Sequence, residues 1–264
     1  MKLNKQQRMS KITVILEKIN QAKPLDFGTI FSDSIELFKK TWLQGFLLQI
    51  FTIIIMMPLI IVIYVPLIGI MLAQSEKGYP DPNPFANFFA GMSIFYILFI
   101  IVAVFALSTI SFVLNAGFFR IMKKLDFNEE VTSSDFFYFF KSHYFNKTFM
   151  LMLATIGIAI VAVLLCYVPI FYALVPLSFI NMIFAFNPDL STSDIVKASF
   201  KLGNKKWLLA FGLIIISSLL AQIVGMIMCF VGVLFTAAFV YHPTYLIYKE
   251  VIGFEEENPV EVIE

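Results

Sequence analysis

Few residues in this chain have the types and spacing that chemistry needs. It holds two histidines, His143 and His242, and two cysteines, Cys166 and Cys229, with no metal-ligand spacing among them. There is no GxSxG elbow, no P-loop, no HExxH and no GxGxxG in a strand–helix setting. A four-histidine iron site is excluded by counting. No catalytic residue, metal or cofactor is therefore expected. What remains are polar side chains within apolar runs: Asn115, Asn181, Gln222 and, near the inner end of the last run, His242. For the three amides, hydrogen bonding between helices, typically ~0.6 and at most ~2 kcal/mol, is a simpler role than ligand binding. His242 stands between Tyr241 and Pro243 and reads as an interfacial residue rather than as the proton relay that ionisable groups inside a membrane often mark.

The elements that must position these residues follow from composition. Apolar residues make up 59% of the 264-residue chain and charged residues 14%, against roughly 25% charged in soluble domains. Mean hydropathy is +0.86. Four runs, Thr41–Ser75, Pro82–Phe119, Thr148–Pro188 and Trp207–Tyr248, contain no Asp, Glu, Lys or Arg. Each exceeds the ~18 residues that mark a membrane-span candidate, and none shows the alternation of a β-barrel strand. The expected fold is all-α, a polytopic helical membrane protein. A net charge of +1 suggests no nucleic-acid partner.

Six transmembrane helices are expected, in three pseudo-repeated units of a short amphipathic surface helix and a membrane hairpin. Each unit opens on a Ser-Asp dipeptide, at Ser32, Ser134 and Ser193, and the surface helices are Asp33–Lys40, Asp135–Lys141 and Asp194–Lys201. Ser32 and Ser193 are placed to cap them, with the Asp favouring the positive helix end. Asp33, Glu36 and Lys40 make one polar stripe, and Asp194, Lys197 and Lys201 repeat it. Trp42, Tyr144 and Trp207 follow as interfacial anchors, since amphipathic rings prefer headgroup depth. The spans are Leu43–Tyr64 with a kink at Pro58, Phe89–Phe118, Thr148–Leu165, Phe171–Phe186, Trp207–Val224 and Cys229–Tyr248. Residues 65–85 prolong a tilted span, re-enter or lie in the interface. Cys166 and Cys229 occupy equivalent repeat positions and are expected as free thiols. The competing account of the similarity is convergence, because every membrane entry needs a cap, an amphipathic face and an aromatic ring.

Residues 1–26 form a cytoplasmic amphipathic segment, either at the headgroups or solvated; 27–250 the six-helix membrane domain; 251–264 an acidic cytoplasmic tail. Residues 1–42, 119–147, 187–206 and 249–264 hold eighteen of the nineteen Lys and Arg residues, leaving Lys77 outside. Basic residues stay on the cytoplasmic side, so both termini are expected there, and the basic helices can attract anionic lipid.

AGFFRIMKKLDFNEEVTSSDFF, the Pro169 turn, STSDIVKASFKLGNKKW and HPTYLIYKEVIG resemble bacterial multi-pass proteins of the DUF975 group and the membrane domain found beside glycerophosphodiester phosphodiesterases. PLDFGTIFSDSIELFKK is similar to the opening of related proteins. The resemblance implies an inner-membrane helical domain of unknown activity, without the phosphodiesterase catalytic domain. The expected role is thus a non-enzymatic membrane scaffold contacting lipids or another membrane protein; the alternative is a small transporter or channel with a path between the units.

Overall fold

The computed structural model describes residues 5–76, 82–91, 93–165, 168–228 and 231–254. Among them every regular element is helical. Five helices are long and apolar enough to cross a membrane, and this all-helical fold fits a multi-pass membrane protein.

Helix α1 (Lys5–Gln21) turns Ile12, Ile15 and Ile19 into the core, so its apolar stripe is covered by protein rather than by headgroups or water. Helix α2 runs unbroken over 50 residues, Phe27–Glu76, with Pro58 and Pro66 inside it. That is about 75 Å, more than twice a hydrocarbon core of about 30 Å. The first surface helix and first span are therefore one helix, and residues 65–76 prolong it. Asp26 caps it, accepting from the Thr29 N–H at 2.8 Å and hydroxyl at 2.9 Å, so the cap is not Ser32, which lies a full turn inside. These bonds hold the Asp26 carboxyl below its ordinary value.

The short α3 (Pro84–Ala90) precedes α4 (Ile94–Asp126), whose N-cap Ser93 accepts from the Tyr96 N–H. The second span thus starts at Ile94 rather than Phe89. A 3-10 segment, Ser133–Phe140, takes the place of the second surface α-helix. It lies so close to α4 that a Cβ on Gly117 would strike the Phe136 carbonyl oxygen. Helix α5 (Ser142–Leu164) and α6 (Val168–Phe186) form a hairpin.

Helix α7 (Thr192–Lys205) folds back along α6. A Cβ on Gly203 would lie 2.8 Å from Pro176 Cα, and Tyr172 Oη bonds Asn204 Oδ1 at 2.5 Å. Its cap is Ser191, which accepts from the Asp194 N–H at 3.1 Å and donates to the Asp194 carboxylate at 2.6 Å; Ser193 is exposed. In both TSSD and STSD the capping residue stands three before the acid, as a capping box requires. The polar stripes of residues 33–40 and 194–201 do face outward, with Leu37, Ile195 and Leu202 turned inward.

Helix α8 (Trp207–Ile227) is the fifth of the long apolar helices. The last expected span, Cys229–Tyr248, is not one helix: α9 (Gly232–Thr236), a 3-10 turn (Ala237–Val240) and α10 (Tyr241–Val251) follow in succession. Together they return beside α8, with Thr236 Oγ1 donating to Ala221 O at 2.7 Å. Gly225 and Gly232 serve this close approach; a Cβ on Gly225 would lie 2.5 Å from Val233 Cγ2.

Candidate functional site

Two polar constellations stand out, one between the apolar helices and one where helix ends meet. In the first, His242 is fully buried within the protein. Its ring sits among Phe38, Phe118 and Phe239. Nδ1 faces two carbonyl oxygens, Ala238 at 3.1 Å and Phe239 at 3.2 Å. Carbonyls only accept, so Nδ1 carries the proton. Nε2 then accepts from the Thr41 hydroxyl, 2.6 Å away. The pair fastens α10 to α2. A histidine committed on both nitrogens inside an aromatic cage is a tertiary pin.

Asn181 reaches from α6 to α4, whereas Asn115 bonds within α4. Asn181 Nδ2 donates to Phe112 O at 3.0 Å, and Asn115 Nδ2 donates to Ser111 O at 2.9 Å in its own helix. The side-chain oxygens of Asn115, Asn181 and Ser111 are buried without a partner among the described residues. Gln222 is not part of this group; it lies on the exposed side of α8.

The interfacial anchors differ in setting. Trp42 is 45% exposed beside Phe235. Tyr144 packs on Phe139 and on Phe184 near the end of α6. Trp207 donates Nε1 to Tyr172 O at 3.1 Å, near the start of α6. Tyr172 and Phe184 are about 18 Å apart along the helix, so a common depth for these two rings requires α6 to lie close to the membrane plane. The exposed Lys197, Lys201 and Lys205 run along the same flank, where charge inside lipid would be expensive. Cys166 and Cys229 lie outside the described residues.

The second constellation was not legible in the sequence. The last residues of α4, α6 and α10 converge. Asp126 accepts from Lys249 Nζ at 2.7 Å and from Tyr245 Oη at 2.9 Å, and Asn187 donates to Tyr248 Oη at 2.7 Å. Helix α1 joins them through Lys18 Nζ, which donates to Ile252 O at 2.7 Å. Between α1 and these ends is a chamber of about 550 Å³. Five cations line it, Lys11, Lys18, Arg120, Lys123 and Lys124, against the carboxylates of Glu129 and Asp189. Lys124 is paired outward with Asp135 at 2.7 Å. Burial pushes the Asp135 carboxyl up, but the Lys124 bond and charge and the Thr132 bonds outweigh it and hold the group below its ordinary value. Only the clustering of Arg120, Lys123 and Lys124 near the end of one helix hinted at the chamber; the share of α1 in it is a product of folding.

An apolar groove of about 320 Å³, with Gly157, Val161, Pro169 and Phe200 in its wall, lies between α5, α6 and α7. Among the described residues, no group of three His, Cys, Asp or Glu stands ready to hold a metal. No family model matches the chain, and neither a curated protein nor a solved structure matches it.

Proposed function

We propose that this chain is a bacterial inner-membrane protein of six crossings in three repeated units, with both termini cytoplasmic. We propose further that it is related to the DUF975-like group and acts without catalytic machinery, as a scaffold contacting lipid or a partner protein. The observation that carries this reading is the convergence of Asp126, Asn187 and Tyr248, with Lys18 bonded to Ile252. The second, fourth and sixth passes of a chain that starts inside must all end on one face. The residues from Gly232 to Val251 supply a return path of about 30 Å, enough for a crossing although the helix is interrupted. On this reading α6 crosses obliquely, with α7 shielding its flank.

Two further features support a scaffold. Asn181 Nδ2 and His242 Nε2 each bond a group on a neighbouring helix. The most apolar stretches of α2 and α4 are only 6% and 17% buried, which leaves a broad face for lipid or a partner. Reporter fusions at Gly78 and at the C-terminus test the topology and are expected on opposite sides; finding both on one side would overturn it. Mass spectrometry of the purified full-length protein tests the role, a stoichiometric lipid or protein being the expected result. One observation favours transport instead: the buried side-chain oxygens of Ser111, Asn115 and Asn181, which have no partner among the described residues. Solute flux into liposomes that is lost on Asn181→Leu would establish that reading.

A further inference from the structure

The lining of the chamber between α1 and the ends of α4, α6 and α10 is richer in cations than the fold requires. Helix C-termini carry partial negative charge, and basic side chains in the last turn offset it. That accounts for Lys18 on the Ile252 carbonyl. Lys124 is likewise accounted for by Asp135. Arg120 is different. It lies six residues before the end of α4, beyond the reach of the end charge, with its guanidinium 3.9 Å from the centre of the Tyr138 ring. Lys123 Nζ is 5.2 Å from the centre of the Phe254 ring. Neither makes an ion pair with a carboxylate among the described residues. Ring faces hold a cation in place without neutralising it.

We propose that the chamber binds a phosphate group carried on a partly apolar molecule, with Arg120 and Lys123 as its anion-binding residues. A volume of about 550 Å³ is that of an ordinary small-molecule site. Arginine's planar fork matches phosphate oxygens, and lysine adds a point charge. The carboxylates of Glu129 and Asp189 share the lining but are outnumbered. Val14, Ile15 and Phe254 form an apolar wall beside the cations, suited to the carbon skeleton next to the phosphate. Two sources offer this chemistry, a phospholipid headgroup and a soluble phosphorylated compound. The proposal deepens the lipid-contact reading above and rests on it. Binding measured in detergent does not depend on which side the face occupies, so failure here and failure of the topology are distinguishable.

The test uses full-length protein in neutral detergent. Phosphatidylglycerol or phosphatidylcholine is added and bound lipid is counted by native mass spectrometry; inorganic phosphate is titrated separately by calorimetry. Selective retention of phosphatidylglycerol over phosphatidylcholine identifies a lipid source, and saturable binding of inorganic phosphate alone a soluble one. Either result supports the site if Arg120→Gln/Lys123→Gln weakens it at least tenfold, at roughly fivefold per charge, while Lys123→Arg retains it. If the double variant unfolds, Lys123→Gln alone is expected to weaken binding roughly fivefold at an unchanged unfolding midpoint. Wild-type protein that shows neither lipid selectivity nor phosphate binding overturns the proposal, as do charge-removed variants that bind as well as wild type.

Discussion

At the scale of the residue, the two best-defined interactions are a cap and a pin. Ser191 closes α7 through the Asp194 N–H, while Ser193, two positions on, is exposed. Ser191→Ala is expected to destabilise the protein by about 1 kcal/mol, and Ser193→Ala to change little. Hydrogen exchange over residues 192–196 checks this, since faster exchange belongs to the first variant alone. Thr41→Val keeps the shape of the side chain but leaves His242 Nε2 buried without a donor, an expected cost of about 1–3 kcal/mol. Adding His242→Phe removes the orphaned nitrogen within a cage that is already aromatic, so the double variant should recover much of that loss in a thermal unfolding assay. If the two losses simply add, the pin does not exist.

At the scale of the element, close backbone approach decides where side chains are tolerated. Gly117 lies against the Phe136 carbonyl, and backbone cannot swing aside, whereas a Cβ on Gly157 meets nothing within 4 Å. Gly117→Ala should therefore destabilise by about 1–3 kcal/mol. Gly157→Ala, in mid-helix, should be neutral or stabilising by about 0.5–1 kcal/mol. Comparing unfolding midpoints in detergent separates the two. The same 3-10 segment is tied to α4 by Asp135 and Lys124. Because the folded carboxyl sits below its ordinary value, the tie contributes fully above the unfolded value of about 4. It is lost as pH falls through the lower folded value. Asp135→Asn should accordingly narrow the stability difference between neutral and strongly acid pH; an unchanged difference would exclude the tie.

At the scale of the whole molecule, the α6–α7 hairpin sets the main test of how the chain lies in lipid. Exposed lysines run along α7, which packs on one flank of α6, yet α5 is apolar and its end is bare, with Leu164 77% exposed. Ile227, at the end of α8, is equally exposed. With Cys166 and Cys229 replaced by Ser, Leu164→Cys and Ile227→Cys should both react with an impermeant maleimide added from outside intact cells. If Leu164→Cys stays unlabelled while Ile227→Cys reacts, α5 and α6 re-enter without crossing, and four crossings remain.

The sequence by itself determined the class, because charge-free runs of such length have no stable place in water, and it located the ends of α6 and α8 to within three residues, whereas α5 begins six residues before the expected span. It located the polar stripes of residues 33–40 and 194–201 by the same periodicity. It did not separate Ser191 from Ser193, although the spacing to Asp194 carries the answer, because the Ser-Asp dipeptide was the more conspicuous pattern. Other features were beyond it for a physical reason. The unbroken α2 depends on the contact of its first half with α10 and of its second half with α4, where Tyr96 Oη bonds the Val62 carbonyl. The burial of His242 depends on Thr41, 201 residues away. The cationic chamber depends on α1 arriving at the ends of α4, α6 and α10. Apolar periodicity specifies which residues leave water, but every helix in an apolar chain satisfies it equally. Which helix meets which is decided by small sites of close approach and by hydrogen bonds between distant residues, and those exist only in the tertiary structure.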